Sequence, residues 1–352
     1  MRIAYILPSL VNTGPIIVVN NVVKNLIDKV DLIDIYYFDE ASFQLDFPCD
    51  IYRINNKDKI DFDKYDIIHS HTLRADMYLS KWKKQIKKAK ILSTIHQDTY
   101  KSFTYKFNKL IAFILTRYWC YIHKKFDGII SISNQIKNKY NKLILNKIET
   151  IYNGCDVKVK LKDGFIENQL NDFLTRGYKI LGTYALITKR KGLSQVIRAL
   201  PALPDFGFII MGDGPDVDTL KCQVNQLGLE ERVIFIPYVK APYSYLDYID
   251  IYMMPSYSEG FGLAMVEAAL EKKSIVCSDI DSFHEIFDEK EACFFELDNL
   301  ESLIISIQKA YELKEEYGIK AYEKAKSKFT AEVMANNHLY YYKKILNYED
   351  SK

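Results

Sequence analysis

Short apolar runs alternate along the chain with longer stretches in which apolar positions recur every three or four residues. RIAYIL (residues 2–7) is followed by the helix-periodic IIVVNNVVKNLI (16–27). LIDIYYF, DIIHSH, KILSTIHQ and DGIISIS come next, each closed by polar or turn residues. Such runs read as parallel strands buried on both faces, and their alternation with helices implies right-handed βαβ units. The pattern loosens after residue 155, where CDVKVKLKDGFIENQLNDFLTRGYK predicts a linker carrying a short helix. It then restarts. ILGTYAL, FGFIIMGDG, RVIFIPYV, DIYMMPS, SIVCSD and ACFFE are strand candidates, with SQVIRAL, VDTLKCQVNQLG, AMVEAALE and ESLIISIQKAYELKEE as the helices between them. Two doubly wound α/β halves joined near residues 155–178 is the economical reading. The tail, AEVMANNHLYYYKKILNY, predicts a helix with an aromatic face that pattern alone does not place.

Composition narrows the class without naming a function. The 352 residues suffice for two domains, at about 150 residues each. With 48% hydrophobic and 27% charged residues, both halves can bury a core. Six scattered cysteines form no CxxC pair, which argues against zinc and a disulfide framework and fits a reducing cytoplasm. The opening MRIAYILPSL lacks the apolar length and cleavage site of a signal peptide, and no run suits a membrane span.

Ligands of open α/β sheets bind beyond the carboxyl ends of the strands, where strand order switches. PSYSEGFGLAMVEAAL (255–270) lies at such an end and sets Glu259 and Glu267 eight positions apart around Gly260, Phe261 and Gly262. The glycines allow positive φ and close approach to a ligand. A helix starting near Leu263 turns free N–H groups and about half a positive charge toward the loop, a phosphate site that needs no metal. Glu267, one turn in, suits a ribose diol as a bidentate acceptor. Glu259 can take hydroxyls at the other end of the phosphates. The plain alternative is a turn and an amphipathic helix with one solvated acid. Upstream, TKRKGLSQVI sets Lys189, Arg190 and Lys191 before Gly192. That is either a solvated basic loop or a cation aimed at a diphosphate leaving group, with Lys191 best placed. Asp213 and Gly214 of MGDGP read as turn formers. His69 and His71 share a strand face without acidic or thiol companions, which favours a structural or acceptor-side part over metal. KWKKQIKKAK (81–90) and YKSFTYKFNKLIAFILTRYWCYIHKK (100–125) mix cations with aromatics, as segments on anionic membrane surfaces do. Near-neutral net charge (+2) and the lack of a nucleic-acid motif argue against nucleic acid.

The order KG, GDGP, RVIF, PSYSEGFGLAMVEA, EI resembles the C-terminal half of the retaining GT-B glycosyltransferases of glycosyltransferase family 4. GPIIVVNNVVKNL, DIIHSH, STIHQD, DGIISISNQIK and IYNGCD follow the family's order more loosely in the N-terminal half, so the resemblance spans nearly the whole chain. It implies that Glu259 contacts the donor sugar and Glu267 the nucleotide ribose. It further implies that Lys191 and the Gly260–Leu263 backbone hold the diphosphate, with His96 facing the sugar and Gly14 forming a first glycine loop. Three departures stand out: Leu186 replaces the usual second diphosphate cation, for which Arg190 or Lys189 can substitute; Thr13-Gly14-Pro15 replaces paired glycines; and Pro237 replaces a common glycine.

The expectation is therefore a GT-B fold, two Rossmann-like domains facing a central cleft. Residues 1–165 form the acceptor domain, joined by the C-terminal helix 331–352, and residues 166–330 the donor domain. The expected activity is retaining, metal-independent transfer from a nucleoside-diphosphate sugar, UDP-linked, to a glycan or polyprenyl-linked acceptor in bacterial surface polysaccharide assembly. Catalysis falls to Glu259, His96 and Lys191, with Gly14, Arg190, Gly260, Phe261, Gly262, Leu263 and Glu267 binding the donor. No cofactor is expected, the nucleotide sugar being a substrate. The expected place is the cytoplasm, peripheral to an anionic membrane. The alternative is a non-catalytic GT-B partner subunit, which the missing cation at Leu186 supports.

Overall fold

The computed structural model describes residues 1–41, 44–104, 107–144, 148–157 and 162–347. The chain divides into two compact units, residues 1–155 with 329–352, and residues 156–328. In the first, strands β1 (Arg2–Ser9), β2 (Leu32–Asp39), β3 (Asp50–Arg53), β4 (Ile67–His71), β5 (Lys90–Ile95), β6 (Gly128–Ser131) and β7 (Ile148–Thr150) form one sheet. Its order is β3-β2-β1-β4-β5-β6-β7, and every described pairing is parallel. The second unit repeats the plan with β8 (Lys179–Tyr184), β9 (Phe206–Met211), β10 (Val233–Ile236), β11 (Ile251–Met254), β12 (Ser274–Ser278) and β13 (Cys293–Phe295), ordered β10-β9-β8-β11-β12-β13. Both units are α/β and doubly wound. Strand order reverses between β1 and β4 in one sheet and between β8 and β11 in the other, so those pairs mark where strand-end loops diverge.

The apolar runs are the central strands. β4, β6, β9, β11 and β12 are buried along their whole length, as helices on both faces of a parallel sheet require. β3 and β7 were not legible in the pattern. β3 is an outer strand exposed at every position, and β7 is an outer strand of three residues. A strand exposed on both faces carries no apolar run.

The chain passes between units earlier than residues 165 and 330. Cys155 N–H donates to the Phe329 carbonyl (3.0 Å) and Ala331 N–H to the Cys155 carbonyl (3.2 Å). A Cβ at Gly154 would stand 2.2 Å from the Thr330 carbonyl oxygen, so the segments meet backbone to backbone. The helix of the loosened stretch, Gly164–Leu174, belongs to the second unit, with Tyr245 Oη accepting from Asp163 N–H (2.7 Å). Residues 158–161 of that stretch, 105–106 of the basic-aromatic segment and 348–352 of the expected C-terminal helix lie outside the described residues. Among the described residues no helix is long and apolar enough to cross a membrane.

The C-terminal helix, Ala331–Ile345, packs on the helix Gly14–Leu26 and buries Tyr341 and Tyr342 in the first unit, while Tyr340 faces solvent, so its aromatics do not share one face as expected. Tyr342 is fully enclosed. Its hydroxyl meets Tyr5 Oη at 3.0 Å and His69 Nδ1 at 2.7 Å, tying helix to sheet. Tyr342→Phe leaves both partners buried and short of one bond, at a cost of about 1–3 kcal/mol. The urea midpoint should fall accordingly, and an unchanged midpoint would show that this bond does not hold the helix in place.

Candidate functional site

In the second unit, the loops that leave β8 and β11 are fastened to each other. After β8 the chain makes one 3-10 turn, Lys189–Lys191, and reverses at Gly192 (φ 66°) into the helix Leu193–Ala199. A side chain at Gly192 would put its Cβ 2.0 Å from the Pro255 carbonyl oxygen, in the loop after β11. Buried Gln195 locks the approach, donating to that same carbonyl (3.0 Å) and accepting from Asp298 N–H (2.8 Å). Tyr257 N–H donates to the Arg190 carbonyl (2.9 Å). Main chain, not side-chain chance, brings the basic turn to the acidic loop.

The result is a nearly enclosed ion cluster. Lys191 Nζ donates to Glu259 Oε1 (2.6 Å), which also accepts from Ser256 Oγ (2.9 Å). Arg190 Nη1 lies 3.1 Å from Glu259 Oε2 and donates to the Ser258 carbonyl. Only 11% of the Glu259 side chain and 15% of Lys191 are exposed. Burial pushes the Glu259 pKa up, but the Lys191 and Arg190 charges outweigh it and hold the acid below the usual carboxylate range. Glu259 was expected to stand free for hydroxyls. It instead neutralises both cations while keeping oxygen lone pairs, and Lys191 keeps ammonium protons, for a ligand. Leu186, where a second cation was missing, is 69% exposed, and Arg190 brings its charge in from the next turn.

Gly262 takes φ 116° and begins the helix Leu263–Leu270, whose first turn no side chain caps. Of the two glycines in the loop, Gly260 does not adopt positive φ. Phe261 is buried and Leu263 partly so. Glu267 sits one turn along and accepts from Tyr184 Oη (2.6 Å), at the end of β8. Burial pushes its pKa up to about 7, the Tyr184 hydrogen bond drawing it partly back. Tyr184 is a site residue that pattern reading missed, because as the last apolar residue of a strand it reads as core. The Gly212–Gly214 turn packs against the same region, Ile187 N–H donating to the Asp213 carbonyl (2.8 Å), and Asp213 shapes that turn.

The first unit gathers histidines. His71, at the end of β4, is buried, and its Nδ1 lies 2.7 Å from Nε2 of His96, just past β5. His69 bridges Tyr342 Oη and Thr94 Oγ1 (2.7 and 2.8 Å). His338 of the C-terminal helix stands 6.0 Å from the His69 ring. Burial lowers the pKa of all four rings, with mutual repulsion adding to the effect at His69, His71 and His96, so they persist as neutral imidazoles. Among the described residues no group of three or more His, Cys, Asp or Glu is placed to hold a metal ion. His338 and Tyr5 were not foreseen; sequence distance hides them. Gly14 opens the helix Gly14–Leu26, uncapped by any side chain, and a Cβ there would meet open space. Gly14 and His96 thus lie in one unit, and Glu259, Lys191, Arg190 and Glu267 in the other.

Residues 25–159 match the family model Glycosyltransferase Family 4, and residues 166–328 match Glycosyl transferases group 1. The O-antigen biosynthesis glycosyltransferase WclY of Escherichia coli is 30% identical over 348 residues, covering 96% of this chain and 97% of that one. An N-acetylgalactosamine-N,N'-diacetylbacillosaminyl-diphospho-undecaprenol 4-alpha-N-acetylgalactosaminyltransferase of Campylobacter jejuni is 28% identical over 192 residues, 51% of each chain. The fold is that of Anabaena HepE, solved in complex with UDP and glucose, at TM-score 0.79 and 17% identity over 96% of this chain and 98% of that one.

Two outcomes follow from the geometry. Gly192→Ala meets both the left-handed backbone and the Pro255 carbonyl, so it should destabilise the second unit by about 3 kcal/mol or more. A wild-type melting temperature would show that the loops can part freely. Glu267 is protonated more readily folded than unfolded, so its contribution favours folding below about pH 4.5 and is lost as pH rises through about 7. Glu267→Gln should accordingly gain about 1–2 kcal/mol on wild type between pH 5 and pH 8, allowing for its partial exposure. A difference independent of pH would mean that Glu267 titrates normally.

Proposed function

The chain belongs to glycosyltransferase family 4 and has the GT-B fold, and on that premise we propose that it is a retaining, metal-independent sugar transferase. Its donor is a nucleoside-diphosphate sugar, with UDP as the carrier, and its acceptor a glycan or polyprenyl-linked glycan of bacterial surface polysaccharide. The observation that carries the proposal is the junction of the Lys191–Glu259–Arg190 cluster with an uncapped helix that bears Glu267. Sugar, diphosphate and ribose lie in a row in such a donor, and Glu259, the helix start at Leu263 and Glu267 follow in the same order along the loop and helix, with Lys191 held against Glu259. UDP is supported by the UDP complexes among structures of this fold. The acceptor is supported by the O-antigen and diphospho-undecaprenol activities of the two relatives.

In this reading the diphosphate inserts beside Lys191 Nζ and the helix N–H groups, which stabilise the charge growing on it as it leaves. Arg190 holds Glu259 and supplies the second positive charge. Glu259 orients sugar hydroxyls and balances the positive charge at the anomeric carbon. As the bond from that carbon to the diphosphate oxygen breaks, the acceptor oxygen bonds to it from the same face. The acceptor proton passes to the released diphosphate oxygen, so the anomeric configuration is kept without a protein base. Glu267, as carboxylate, accepts from both ribose hydroxyls. Gly14 and His96, in the other unit, are assigned to the donor by the family resemblance. The protein works in the cytoplasm at the inner face of the membrane.

The exposed Leu186 favours one other reading, a non-catalytic partner subunit. Turnover decides between them. Thermal unfolding with UDP, GDP and ADP should show stabilisation by one of them, about 2.7 kcal/mol at 100 times its dissociation constant. Glu267→Ala should lose most of it. Lys191→Gln, assayed well below its lowered melting temperature, should reduce kcat by about 10²–10³ with any acceptor that wild type uses. Stabilisation without turnover on acceptor lipid extracts would leave the partner-subunit reading standing. An inverted anomeric linkage by NMR would refute the same-face step.

A further inference from the structure

Tyr184 is the last residue of β8, one of the two strands between which the order of the second sheet reverses. Its ring is buried and stands edge-on to that of Tyr252 in β11, with the centroids 5.2 Å apart. Tyr252, fully enclosed, donates to the Tyr184 carbonyl (3.3 Å). Ring and main chain are both held, so the hydroxyl is presented from a fixed frame. It meets the helix Leu263–Leu270, 2.6 Å from Glu267 Oε2 and 3.4 Å from the Ala264 carbonyl oxygen. Helical side chains lean toward the N-terminus of their helix, so Glu267 reaches back over the uncapped first turn. Unlike Glu259 it has no cation beside it, and among the described residues Tyr184 is the one side chain bonded to it.

We propose that Tyr184 is a positioning residue that determines sugar specificity on the nucleotide side: by donating to one oxygen of Glu267 it fixes the carboxylate to take both hydroxyls of a ribose, and so selects ribonucleotide over deoxyribonucleotide donors. The proposal deepens the donor assignment above and rests on it. A carboxylate offers four lone pairs. Tyr184 takes one on Oε2, which leaves one there and two on Oε1, enough for a diol. The last torsion of a glutamate is broad, so without the tyrosine the two oxygens have no preferred plane. The same bond also works against the burial that pushes Glu267 up to about 7. It thereby favours the carboxylate, which accepts from both hydroxyls, over the acid, one oxygen of which would donate instead. The plain alternative is that Tyr184 serves the core alone, its hydroxyl on Glu267 only to be satisfied.

The test is calorimetric titration of the full chain with UDP, GDP and ADP and with the 2′-deoxy form of each. Wild type should bind one ribonucleotide, and bind it about tenfold or more tighter than its deoxy form, as loss of a hydrogen bond to a charged group requires. Tyr184→Phe keeps the ring against Tyr252 and removes one oxygen. It should weaken the ribonucleotide about tenfold and the deoxy form by no more than about twofold, so that most of the preference disappears. With the nucleotide sugar it should raise KM by a larger factor than it lowers kcat. Glu267→Ala should also abolish the preference, and should cost less affinity in the Tyr184→Phe background than in wild type, since the two residues act as one. A Tyr184→Phe protein that weakens both nucleotides by the same factor, or that keeps the preference, overturns the proposal. If Glu267→Ala loses the preference while Tyr184→Phe keeps it, the donor site stands and only the part given to Tyr184 falls. Wild-type binding without any ribose preference refutes the ribose assignment of Glu267 together with the proposal, and no binding of any nucleotide by wild type refutes the donor site itself.

Discussion

A carboxylate closed off from water must be neutralised where it lies, and in the second unit that demand falls on Glu259. Its partners, Lys191 and Arg190, come from a different strand end, so the loops after β8 and β11 must be held in register before the charges can meet. Gly192 against the Pro255 carbonyl and Gln195 clamped between Pro255 and Asp298 provide that register. Removing one member of such a cluster strands the others in low dielectric, which generally costs about 3–5 kcal/mol. The cluster is therefore as much a structural keystone as a place for a ligand, and a diphosphate entering it finds cations already positioned.

The two acids of the loop illustrate how placement alone divides a residue type. Glu259 meets two cations and is held ionised below the ordinary range, while Glu267 meets a tyrosine hydroxyl and is pushed up to about 7. Opposite environments for paired carboxyls are the usual means by which one fold gives two acids different work. Here the strong acid stands beside the cationic turn, and the weak one stands on the helix beyond it.

The core of the first unit holds a network of histidines and tyrosines. Burial lowers the pKa of His69, His71, His96 and His338, and His69 bonds to Tyr342 and Thr94 while His71 bonds to His96. Tyr342 and His338 close the network from the far end of the chain, so the terminal helix is part of this core. On the outer side the helix Lys109–His123 leaves a second apolar face uncovered.

Much of this was legible in the residues themselves. Periodicity located the central strands of both sheets, since burial on two faces leaves an apolar run that polar neighbours cannot imitate. The spacing of Glu259, Gly262 and Glu267 forecast a loop entering a helix, because local backbone chemistry fixes such a turn. β3 and β7 escaped notice, being outer strands of little apolar content, and so did Tyr184, which reads as core until its hydroxyl is seen on Glu267. Sequence could name Lys191 and Glu259 as candidates but not join them, nor distinguish the two faces of the helix Lys109–His123. Local pattern is written in neighbouring residues, whereas an ion pair across 68 positions, or a face left uncovered, exists only once distant segments have packed.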